Sequence, residues 1–267
     1  MFLPTLALAL VVSAADAGTA ARPLEYDRPI EKADLEGRTL RELNLMRNVI
    51  FARAGQVFRK EWLNTWFTAQ PWYRASGFDP KKVSKLGHAN ARAIVAYELK
   101  LPKAELVKRF KSLLAKKPDG STPEGEAQVI ELQLLAIATG SVIPPEYYTA
   151  RNPLMRRNPL SSPDLLKNPL SVDELRDLSR RDLRILRNTV FARHGRAFKT
   201  NSMRTWFERM EWYRVDPKYT DKRLTKTDLE NIKLIRSVED SIGGPETEEE
   251  VDGESELDSP TEEFAGA

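Results

Sequence analysis

Apolar residues recur along most of this chain at intervals of three and four, the period that places them on one face of a helix. One stripe is Leu43, Met46 and Ile50, and another is Leu183, Leu186 and Val190. Each follows a hydroxyl residue with an acid three places on, Thr39 with Glu42 and Ser179 with Asp182. In this capping box the hydroxyl and the carboxylate each satisfy a backbone amide of the first turn. Gly55 and Gly195 stand where a left-handed residue closes a helix, and Phe58 and Phe198 follow as the apolar residue that folds back on the last turn. Both places therefore predict a first helix of roughly 15 residues.

A shorter second helix is predicted through Trp62–Thr68 and Ser202–Arg209, its Trp66-Phe67 or Trp206-Phe207 pair placed for the core. Trp72-Tyr73 and Trp212-Tyr213 come next, then the turn signals Asp79-Pro80 and Asp216-Pro217. A third helix opens at Leu86 in one place and at the capping box Thr225 to Asp228 in the other. It is expected to bury Ala91, Ile94 and Tyr97, or Leu229, Ile232 and Ile235.

These two stretches are copies. Residues 43–74 and 183–214 align at a constant offset of 140 without a gap and share fourteen identities. Duplication of a supersecondary unit is the economical account. The length predicts three helices per copy, so small a core that large buried aromatics must supply much of it.

Between the copies, Pro102 to Ala115 is a basic amphipathic helix with Leu106, Phe110 and Leu113 on one face. It suits packing on the first copy better than lying on a membrane surface. Residues 124–139 form a strongly apolar helix closed by Gly140, which needs the same cover. Asn152, Asn158 and Asn168 then each precede Pro-Leu, a pattern of extended backbone that reads as a linker or, alternatively, as an arm docked on the modules. The expected fold is all-α: two three-helix modules at 35–100 and 175–240, a helical segment at 101–140 on the first, and an extended linker at 141–171.

The ends change the picture. Phe2 to Ala15 is apolar and Ala15-Asp16-Ala17 is a small-x-small cleavage site, so residues 1–17 read as a signal peptide and the protein as exported, periplasmic or secreted. No stretch is long enough for a membrane span of roughly 20 apolar residues. Net charge is +3, but residues 241–267 hold ten acids and no Lys or Arg. With Asp16 also set aside, Gly18–Asp240 carries +14. The basic part favours anionic partners, and the acidic segment reads as disordered. With no cysteine there is no disulfide and no thiolate metal site.

Candidate chemistry lies in the repeated positions. Histidine and arginine suit acid-base and anion-clamping roles, which would fall to His194, Arg193 and Asn188 with Asp216 orienting. Against catalysis, the first copy has Ala54 where the second has His194, the chain has only two histidines, and no nucleophile elbow, HExxH or phosphate loop accompanies them. No catalytic residue, cofactor or metal is expected. The structural reading is that Arg47, Asn48, Arg53 and their partners Arg187, Asn188 and Arg193 knit the fold, with arginine stacked on tryptophan. The binding reading is a surface of Asn188, Arg193, His194, Arg196, Trp212, Tyr213 and Arg214, with Arg53, Trp72 and Tyr73 as its weaker counterpart.

The second copy, Arg187-Asn188 to Phe191-Ala192-Arg193-His194-Gly195 followed by Phe198, Trp206-Phe207, Trp212-Tyr213, Leu224-Thr225 and Asn231, resembles the YARHG domain. Phe191 stands where the family usually has tyrosine. The first copy resembles the same family in diverged form, with Ala54 for the histidine and Ala93 taken as the counterpart of Asn231. The resemblance implies an all-helical extracytoplasmic accessory domain without an established molecular function. The expected role is a non-catalytic binding or scaffold protein for an envelope protein or cell-wall polymer. The alternative is an electrostatic binder of an anionic polymer, nucleic acid included if the chain is not exported.

Overall fold

The computed structural model describes residues 22–147, 159–160 and 162–246. The expected signal peptide, Asn152, Asn158 and the acidic segment beyond Glu246 lie outside the described residues. Within them every regular element is helical: α1 (Lys32–Leu35), α2 (Leu40–Arg53), α3 (Glu61–Thr68), α4 (Lys85–Lys100), α5 (Lys103–Ala115), α6 (Pro123–Thr139), α7 (Val172–Leu175), α8 (Arg180–Ala192), α9 (Asn201–Glu208) and α10 (Lys226–Ser241). The fold is all-α, with α2–α3–α4 repeated as α8–α9–α10.

The helix ends follow the residues that predict them. Thr39, Ser179 and Thr225 accept from the amides of Glu42, Asp182 and Asp228 at 3.1, 3.2 and 3.1 Å, and each acid returns a bond to the cap amide. Gly55 and Gly195 have φ of 86° and 89°, the left-handed turn that ends α2 and α8.

The third helix departs from expectation. α4 opens behind Ser84, whose hydroxyl accepts from Gly87 at 2.9 Å, so it begins one residue before Leu86. This sets α4 against α10 at an offset of 141. Asn90, not Ala93, is therefore the counterpart of Asn231. Leu229 faces solvent at 54% exposure, whereas Ile232 and Ile235 are buried. The copies differ in loop length twice between Tyr73 and α4, and the changes nearly cancel.

Each module has two small cores on opposite sides of its central helix. On one side of α2, Leu43 and Met46 meet Ile94 of α4 and Leu132 and Leu135 of α6. On the other, Leu45 and Val49 meet Phe58, Phe67 and Tyr73. In the second module Leu183, Leu186 and Val190 pack on Ile232 and Ile235, and Ile185 and Ala192 on Phe207 and Tyr213. Phe58 stacks on Phe67 at 4.4 Å and Phe198 on Phe207 at 4.6 Å. A single apolar stripe understates such a helix, because both of its flanks are covered. α5 lies on α6 with Leu106 and Phe110 inward, so its apolar face is already used.

The repeat also has an upstream arm. Asn90 accepts from the Ile30 amide at 2.9 Å and donates to the Arg28 carbonyl at 2.9 Å. Asn231 accepts from Leu170 at 2.8 Å and donates to the Leu166 and Asn168 carbonyls at 3.2 and 3.0 Å. The described end of the proline-rich segment is thus a docked arm rather than a free linker: Pro163–Lys167 forms a 3₁₀ turn, and Leu166 and Leu170 enter the second core.

Candidate functional site between the modules

The repeated polar positions mostly serve the modules themselves. Asn48 and Asn188 donate to the carbonyls of Asn44 and Arg184 one turn back, each at 2.8 Å. Tyr73 and Tyr213 are buried, their hydroxyls donating to the Gln56 and Arg196 carbonyls at 2.7 Å each. Neither ring has a face available to a ligand. Arg53 lies 3.9 Å over the centre of the half-buried Trp72 ring and pairs with Glu25 at 2.8 Å, a cation-π contact worth about 0.5–2 kcal/mol. Trp212 is half-buried against α6, edge-on to Phe207 and Tyr213. Arg196 covers Phe191 at 4.8 Å, and exposed Arg214 donates to the carbonyls of Glu211 and Tyr213.

His194 is a brace. Its Nε2 lies 2.9 Å from Asp228 Oδ2, and Arg193 approaches the other oxygen at 4.0 Å. The same Asp228 carboxylate accepts from the amide and hydroxyl of Thr225. Burial pushes Asp228 up, but Thr225 and His194 outweigh it and hold the carboxyl below its ordinary value. The first module has Ala54 and Gly87 at these two places, so both ends of the brace are replaced together. Among the described residues no group of His, Cys, Asp and Glu is arranged to hold a metal, and no helix is long and apolar enough to cross a membrane.

The modules meet through an exchange of ion-pair partners. In the second module Arg187 pairs with Glu239 of α10 at 2.9 Å, the carboxylate being 1% exposed. The corresponding Arg47 and Glu98 of the first module turn outward instead: Arg47 pairs with Glu246 at 3.0 Å and Glu98 with Arg181 at 3.4 Å. Lys60 reaches Asp182 at 2.7 Å, and Arg59 donates to the carbonyls of Leu175 and Arg176. Arg209 in turn caps the end of α4 by donating to the carbonyls of Glu98, Leu99 and Leu101.

Between these bridges lies a cleft of about 1500 Å³. Among the described residues its lining carries nine Lys or Arg against four carboxylates, over apolar side chains that include Phe51, Phe78 and Trp206. Most of the cations are engaged in the bridges. Lys85 and Arg92 are the two with neither an ion pair nor a side-chain hydrogen bond among the described residues, and with His88 they follow one face of α4. The cleft can accommodate a partly apolar anion, since cations and aromatic rings share its lining.

The YARHG domain matches residues 20–99 and 159–240, each span taking in an arm, a one-turn helix and three longer helices. The chain belongs to the YARHG domain family. It carries two copies, in agreement with the sequence repeat and the recurrence of α2–α4 as α8–α10. No curated protein and no solved structure matches it.

The cleft between the YARHG copies was missed in the sequence because none of the residues predicted for binding lines it. The available trace was divergence rather than identity. Arg59-Lys60 against Lys199-Thr200, and the altered context of Arg47 and Glu98, mark the surface that joins the copies.

The capping acids give a pH prediction. The Arg28 guanidinium beside Asp34 holds that carboxyl at about 2. Asp182 is also lowered, since Lys60 and Ser179 outweigh the upward push of burial. Asp228 is lowered likewise. Their stabilisation is complete above the unfolded aspartate value near 4 and is lost as pH falls through the folded values. Glu131, pushed up by burial against the pull of Arg109, acts in the opposite sense. The expected melting temperature is level from about pH 7 to 5 and falls between about pH 4 and 2. Circular dichroism melts check this, and a profile still level at pH 2 contradicts it.

Proposed function

We propose that this protein is a non-catalytic binding protein of the cell envelope that holds an anionic partner in the cleft between its YARHG copies. The observation that carries the reading is the cation surplus of the cleft lining, with Lys85 and Arg92 left unpaired along α4. Membership of a family of extracellular-type domains supports an extracytoplasmic setting. The engagement of His194 with Asp228 and of Tyr73 and Tyr213, which recur in the two copies, with backbone carbonyls supports a structural use of the family signature. A cell-wall polymer or an acidic envelope protein has the complementary charge.

Retention on isolated cell walls, envelope extract and nucleic acid, compared at two salt concentrations, tests the proposal. Lys85→Glu with Arg92→Glu is expected to reduce retention on walls or envelope extract at least tenfold. Steep loss with salt on every polymer alike favours the purely electrostatic alternative. Retention on none of them, or retention indifferent to the double substitution, overturns the cleft reading.

A further inference from the structure

The segment that leaves the second module does so inside the cleft. Arg180 donates from Nε to the Gly244 carbonyl at 2.7 Å and from Nη2 to the Pro245 carbonyl at 2.9 Å. Glu246 then places its side chain, 7% exposed, against Arg47 of the other module. Its Oε2 is buried without a hydrogen-bond partner among the described residues. Two arginines, one from each module, therefore anchor the chain at the point where its acidic run begins.

Beyond Glu246 come Glu248, Glu249, Glu250, Asp252, Glu254 and Glu256, with no Lys or Arg among residues 247–267. The unpaired cations of the cleft lie along α4, the helix whose last turns carry Glu98, and Glu98 lines the same cleft. A helix rises about 1.5 Å per residue, so Arg92 lies about 9 Å and Lys85 about 20 Å back along α4 from Glu98. An extended chain advances about 3.3 Å per residue. From Glu246, six extended residues cover about 20 Å, a length that matches the run of α4 from Glu98 back to Lys85. Charge sign, anchor and reach agree.

We propose that residues Glu248–Glu256 dock in the cleft of their own chain, their carboxylates on Arg92, His88 and Lys85, as a tethered occupant that an external anionic partner must displace. This rests on the cleft being the anion-binding site, and it adds the identity of the internal competitor. A flexible tether holds its segment at an effective concentration in the millimolar range. Against a free peptide that binds at about 100 µM, such a competitor lowers the apparent affinity roughly tenfold.

Two measurements on the full chain test it. Carbodiimide treatment of dilute monomer is expected to link Lys85 to a carboxylate within Glu248–Glu256, read by mass spectrometry of the cross-linked peptides, and Lys85→Arg is expected to remove the link. A fluorescein-labelled peptide of residues 247–258 is expected to bind about tenfold more tightly when Glu248, Glu249, Glu250, Asp252 and Glu254 are replaced by their amides in the protein. Absence of the cross-link, or an unchanged peptide affinity, overturns the docked segment. If envelope retention still depends on Lys85 and Arg92 in that case, the cleft reading survives alone. If the cross-link forms while retention ignores both cations, the segment docks but the cleft is not the envelope site.

Discussion

Asn231→Ala is expected to lower the unfolding free energy by about 3–5 kcal/mol, with the urea midpoint falling and the slope unchanged. The side chain is 1% exposed and makes three bonds to the backbone of the docked arm. Truncation leaves the Leu170 amide and the Leu166 and Asn168 carbonyls without those bonds, in a region where Leu166 is fully buried. Each buried group left unsatisfied costs about 1–3 kcal/mol. Asn90→Ala is expected to cost less, about 2–3 kcal/mol, because it bonds one amide and one carbonyl of a more open arm. Amide exchange should place the damage first at Leu170 in one variant and at Ile30 in the other. A loss below about 1 kcal/mol for Asn231→Ala would mean that the arm is not part of the module's stability.

Gly195→Ala comes next in size, at about 2–4 kcal/mol. A Cβ built there meets the Asp216 Cβ at 2.7 Å and its amide nitrogen at 3.0 Å, and φ is 89°. Gly55→Ala meets the Gly77 carbonyl oxygen at 2.5 Å and should be comparable. Gly37 separates the two causes, since its φ is 74° but no atom lies within 4 Å of a built Cβ. Gly37→Ala is therefore expected to cost only the left-handed strain, about 1 kcal/mol. Thermal or urea unfolding of the three variants should rank Gly37 far below the others, and three equal losses would refute the steric part of the argument.

Both predictions concern residues that differ in how far the sequence reveals them. Gly195 is legible because a left-handed helix end needs glycine wherever the flanking pattern stops. The capping boxes at Thr39, Ser179 and Thr225 are legible for the same local reason. Asn231 is visible only as a family residue, and its counterpart Asn90 was concealed by loops whose lengths change twice before α4. Local pattern carries no information about such compensating gaps. The double-sided burial of α2 and α8 was half legible: Leu43 and Leu183 mark one flank, whereas Leu45 and Ile185 are recognised only once the aromatic cluster is in place. The cleft was not legible at all. It depends on pairs such as Arg47 with Glu246, 199 residues apart, whose partners look in sequence like any other surface charges.

The outward turn of Arg47 and Glu98 also makes the two copies unlike at the surfaces through which they meet. The first module offers the far halves of α2 and α4, while the second answers with the start of α8, the end of α9 and Glu246. This is a head-to-tail contact between unlike surfaces, the kind that in principle propagates into an open array. In the second module Arg187 and Glu239 close on each other instead, so that pair is not open to another surface. The same two positions thus serve as a bridge between modules in one copy and as a brace within the module in the other.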